Sequence, residues 1–207
     1  DDDTPGTRLT RAFAVGTEAA LDELELLAAH PVPEVRFQVA DGLWGLASPR
    51  AAAINHRLLA DSSLSVVNAA AHNLRRHPAP DTVLLAALAR EDLWTASQPY
   101  ALPFLVRALL ASDTPAAAAR GCELARVHLA RAEDGAGIFS PRSSVRDAVH
   151  HQLFAAHPGP CLTRALVDLL GECGEQLAGQ LLQVLRDSVE IVDLDPALAV
   201  LPAANQR

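Results

Sequence analysis

The sequence predicts an all-α protein: an α-solenoid of about five antiparallel helix pairs with short capping segments at its ends. Three observations predict it. First, one apolar template (a residue, then others four and eight positions later) recurs at Val35-Val39-Leu43, Val66-Ala70-Leu74 and Ser97-Ala101-Leu105, each set 31 residues after the last. That spacing keeps one face of a helix apolar. Second, helix-ending and helix-starting signals fall between the sets: His30-Pro31, Ser48-Pro49, Asp61-Ser62, His77-Pro78 and Asp113-Thr114-Pro115. Third, the chain of 207 residues is 50% hydrophobic but only 4% aromatic, so its core is built from Ala, Leu and Val. That apolar content excludes a disordered chain.

The elements follow in order. Residues 1–16 form an acidic tail with a capping helix over Thr7–Val15. Residues 17–188 form the repeat array. The first helix of each pair falls at Thr17–Ala29, Pro49–Ala60, Ala79–Arg90, Pro115–Ala132 and Pro160–Leu170. The second helices carry the template, which returns weakly at Val145-Val149-Leu153 and Leu177-Leu181-Leu185. Pro99 and Pro103 stand inside the third of these second helices and predict a kink or break. An insertion over residues 133–141 interrupts the fourth pair. Residues 189–207 form a tail in which Glu190–Leu194 is open between strand and helix, and Asp195-Pro196-Ala197 begins a short capping helix.

Composition excludes several function classes. The net charge is −8, which argues against a nucleic-acid-coating protein. Every basic side chain is Arg, so neither a lysine Schiff base nor a P-loop lysine exists. No apolar run is long enough to span a membrane. The chain opens Asp1-Asp2-Asp3, acidic where a secretory signal would be basic, and the lack of Met predicts trimming or excision from a longer chain. Cys122, Cys161 and Cys173 form no CxxC pair and sit in apolar helical stretches, as small hydrophobes in a reducing cytoplasm. The histidines show no HExxH, HxxH or HxxxH spacing, so no metal site and no cofactor is expected. His30, His77 and His157 each precede Pro, which fits a structural role at helix ends.

One helix face remains. On the second helix of the first pair, Val35, Val39, Leu43 and Leu46 fall within an arc of about 100°, a core stripe. The opposite side carries Phe37, Asp41 and Trp44. One period on, the matching positions are Asn68, His72 and Arg75; further on stand Pro99, Pro103 and Val106, then Asp147, His151 and Phe154. Aromatics with Arg and Asp at these positions are the residue types that anchor interfaces. Trp44 and Arg75 are placed for a cation–π stack. Asp41 and His72 are placed for a contact that fixes the stacking of neighbouring pairs. A register shift of one or two residues would instead bury Phe37 and Trp44 between layers, and the sequence leaves both readings open.

Pro33-Glu34-Val35-Arg36 with Ala40 and Leu43, then Asp61-Ser62-Ser63 with Val66, Ala70, Ala71 and Leu74, resembles the second helices of HEAT repeats, including the type first described in phycobilin lyases. Ser144-Val145-Arg146 with Leu153 is a partial third match. The resemblance implies a solenoid whose second helices line a concave face, there made of Phe37, Asp41, Trp44, Asn68, His72, Arg75, Asp147, His151 and Phe154. The function expected is a non-enzymatic scaffold or adaptor binding a protein or peptide, with a basic segment matching the acidic chain. The alternative is an enzyme: HEAT-like alkylpurine DNA glycosylases place Trp, Asp and Arg on a concave face, as Asp41, Trp44 and Arg75 are set out here. Against it stands the lack of a basic DNA-gripping surface.

Overall fold

The computed structural model describes residues 4–15, 18–95 and 100–130. The chain divides into two compact units, residues 1–93 and 94–207. Among the described residues every regular element is helical. The expected elements beyond residue 130 lie outside the described residues, as do Pro99, Cys161, Cys173 and His157. Those elements include the 133–141 insertion, the helix at Pro160–Leu170 and the C-terminal cap.

The first unit opens with α1 (Pro5–Val15), a helix over the expected Thr7–Val15 stretch. Then come α2 (Glu18–Leu27), α3 (Pro33–Gly42), α4 (Pro49–Leu58), α5 (Leu64–His72) and α6 (Asp81–Leu88). Helices α3 and α5 each run on into a single 3-10 turn, Leu43–Gly45 and Asn73–Arg75. Local chemistry sets the starts. Pro33 and Pro49 occupy first-turn positions, where the missing N–H costs nothing. Ser48 caps α4, its hydroxyl accepting from the Ala51 N–H at 3.1 Å.

The template residues go where the periodicity puts them. Val39, Leu43, Val66, Ala70 and Leu74 are buried, whereas Val35 and Leu46 are half-buried at the edge of the stripe. Helix α3 packs on α2 and α5, and α4 packs on α2 and α5. Helix α1 lies across α2 and α3. Its Phe13 ring sits directly over Gly42, where any Cβ would overlap the ring.

Helix α7 (Glu91–Thr95), which the periodicity did not suggest, follows Arg90. In the second unit α8 (Ala101–Leu110) packs against α9 (Pro115–Ala130). Leu102, Leu105 and Leu109 are fully buried there, and Cys122 is a buried thiol. Helix α8 runs unbroken through Pro103, where a break was expected. Pro103 is the third residue of α8, and a first-turn N–H has no carbonyl partner to lose.

Candidate functional site

The face opposite the core stripe is open to solvent in the first unit. Phe37 and Trp44 are each 39% exposed, so the register that would bury them between layers does not hold. Asp41 is exposed one helical turn after Phe37, and Trp44 follows in the 3-10 turn. On the neighbouring α5, His72 and Arg75 are exposed and Asn68 is half-buried. Asp147, His151 and Phe154 lie outside the described residues. In α8, Val106 is fully buried, so the third position of the period carries a core residue.

Two expected contacts are replaced by one. The Trp44 ring meets His72, with centroids 5.0 Å apart and planes inclined by 38°. No Trp44–Arg75 stack forms, and Asp41 makes no hydrogen bond or ion pair with His72. The side chain of Trp44 leaves α3 in the tighter 3-10 turn, where three residues rather than 3.6 complete a revolution. That turn shifts its direction relative to an ideal helical wheel.

Beneath this face lies a buried polar ladder. Asn73 is 1% exposed. Its amide nitrogen donates to the Ala40 carbonyl at 2.6 Å and to Asn55 Oδ1 at 3.1 Å. Asn55, fully buried, donates from its own amide to the Ala70 carbonyl at 3.0 Å. His77, 2% exposed, places Nε2 2.9 Å from the Leu43 carbonyl. A carbonyl only accepts, so Nε2 is the protonated nitrogen. The ladder therefore binds late carbonyls of α3 and α5 with side chains from α4 and from the segment after α5. His77, expected at a helix end, does meet one, but the end is that of another helix. His30 differs: its Nδ1 accepts from the Val32 N–H at 3.2 Å. Asn55 and Asn73 are not among the sequence-predicted site residues. The available signal was an Asn beside Ile54 inside an otherwise apolar stripe.

A second network fixes the turns. Arg36 forks onto Asp61, with Nε to Oδ2 at 2.6 Å and Nη2 to Oδ1 at 2.8 Å. Its Nη1 donates to the His30 and Pro31 carbonyls at 2.8 and 3.1 Å. Asp61 Oδ1 also accepts from the Ser63 N–H at 2.8 Å, and the Asp61 carbonyl accepts from Arg90. Burial is the largest single influence on Asp61 and pushes its pKa up. The Arg36 fork, the Ser63 N–H and the charges of Arg36 and Arg90 outweigh it and hold the carboxyl below its ordinary range. Arg50 bridges Asp22 and Glu25, and Arg57 also reaches Glu25, tying α4 to α2.

The described residues hold no group of three or more His, Cys, Asp or Glu arranged to bind a metal ion. None of their helices is long and apolar enough to cross a membrane. No protein-family model matches the chain, and no curated protein matches it.

Proposed function

We propose that this chain is a HEAT-like α-solenoid of antiparallel helix pairs, working in a reducing cytoplasm as a non-enzymatic binding module for a protein or peptide. The array reading is supported by like packing on like: α2 meets α4, and α3 meets α5. That is the neighbour pattern of stacked helix pairs, each too small to bury its apolar face alone. The observation that carries the binding reading is the exposure of Phe37 and Trp44, at 39% each, on the side of α3 away from its core stripe. Exposed aromatic area disfavours contact with water by about 25 cal/mol per Å², and a bound partner relieves that. The net charge of −8 favours a partner with a basic segment.

The test is selection of a randomised peptide library on the full chain beside its Trp44→Ala and Arg75→Ala variants. Enrichment on wild type that both variants lose, while each variant remains folded, supports the reading. Equal enrichment on all three overturns the assignment of the face. A second reading rests on the exposure of Asp41, Trp44 and Arg75 together: a HEAT-like alkylpurine DNA glycosylase. Release of alkylated purines from methylated duplex DNA, lost in Asp41→Asn, would establish it instead.

A further inference from the structure

Among the described residues of the first unit, seven carboxylates have a stabilising partner or helix end, and Asp41 is not one of them. Asp22, Glu23, Glu25, Asp61 and Asp92 each hold an arginine. Glu34 and Asp81 stand in the first turns of α3 and α6, where the helix dipole stabilises negative charge. Asp41 stands in the last turn of α3, the end at which carbonyls already concentrate negative charge, and no cation of the described residues pairs with it. Phe37 precedes it by one helical turn and Trp44 follows it by three residues, both exposed. On the packed neighbour, Arg75 and Arg76 are exposed and have no carboxylate partner among the described residues. The Trp44–His72 contact joins the two halves of this surface.

Resting on the binding-module reading, we propose that the seam recognises a peptide anchored by an arginine side chain, with an acidic residue a few positions away. The guanidinium is the cation these groups suit. Its plane stacks on aromatic faces while its edge forks onto the Asp41 carboxylate. A hard metal ion would need several oxygen ligands, which two aromatics and one carboxylate do not supply. The acidic residue meets Arg75 and Arg76. Helices α3 and α5 pack against each other, and packed axes stand about 8–10 Å apart, a span that three extended residues cover. Both signs of charge on one acidic protein are thereby used by one ligand.

The experiment selects a randomised heptapeptide library on the immobilised full chain and re-synthesises the enriched peptides with citrulline, neutral and nearly isosteric, in place of arginine. The expected result is enrichment of arginine with an acidic neighbour, and an affinity loss of tenfold or more on citrulline replacement. Asp41→Asn, conservative and exposed, is expected to abolish that discrimination without lowering thermal stability. Peptides enriched on wild type but not on Trp44→Ala that lack arginine, or that tolerate citrulline, would overturn the arginine anchor and leave the binding module standing. No enrichment over Trp44→Ala would overturn the binding module itself.

Discussion

Asn73 donates from its side-chain amide to the main-chain oxygen of Ala40, 2.6 Å away across 33 positions of sequence. This bond joins the end of α3 to the 3-10 turn that continues α5. Both amide hydrogens of Asn73 are used, one on Ala40 and one on Asn55, in a site that water does not reach. A buried amide satisfied in this way specifies one stacking geometry, because any slip leaves polar groups unpaired.

Asn73→Leu is accordingly expected to destabilise the first unit by about 2–4 kcal/mol, since it strands the Ala40 carbonyl and the Asn55 side-chain oxygen. Gln38→Ala, at an exposed position of α3, is expected to change stability by less than about 0.5 kcal/mol. Chemical denaturation of both variants checks the contrast. Equal midpoints would show that the ladder does not contribute.

Gly42→Ala tests the seat of α1. In an ordinary helix this change is stabilising by up to about 1 kcal/mol. Here the methyl meets the Phe13 ring. The expected outcome is a loss of about 1–3 kcal/mol, as in other overpacked sites. Adding Phe13→Ala is expected to make the Gly42→Ala change neutral or favourable. A Gly42→Ala protein as stable as wild type would mean that the Phe13 ring moves aside without cost.

The Arg36–Asp61 fork predicts an acid limb in the stability. The folded-state pKa of Asp61 is lowered, so the unfolded chain takes up its proton first as pH falls. The fork's contribution is complete above about pH 5, a unit over the ordinary Asp value, and is lost as pH falls through the lowered value. Asp61→Asn is expected to cost about 1–3 kcal/mol at neutral pH and to flatten the decline between pH 5 and pH 3. Urea midpoints measured across that range report it; parallel curves for the two proteins would exclude the fork as the cause.

Trp44 and His72 are expected to be energetically coupled. A double-mutant cycle with Trp44→Ala and His72→Ala should return about 0.5–1.5 kcal/mol, the usual range for ring pairs. Additive single effects would show that the 5.0 Å approach carries no energy.

Much of the helical layout was legible before any coordinates. Val39, Leu43, Val66, Ala70 and Leu74 are buried because a four-residue step returns to one side of a helix, and that is a property of the sequence alone. Pro33, Ser48 and Pro49 act locally, so their roles at helix starts were legible too. Pro103 misled because its effect depends on where the helix begins: in the interior it breaks a hydrogen bond, and in the first turn there is none to break.

Partners were a different matter. The period placed Asp41 opposite His72 and Trp44 opposite Arg75, but a one-dimensional period assumes an ideal helix, and α3 tightens into a 3-10 turn before Trp44. The indole therefore meets His72 instead. Asn55, Asn73 and His77 were equally out of reach, because their bonds run between helices 15 to 34 positions apart in the chain. The sequence by itself determined which residues form helices and which faces those helices bury, since both depend on neighbours within two turns. Only the tertiary structure decided which polar side chain answers which carbonyl, and that Phe37 and Trp44 stand in solvent, because both depend on how one helix is rotated against the next.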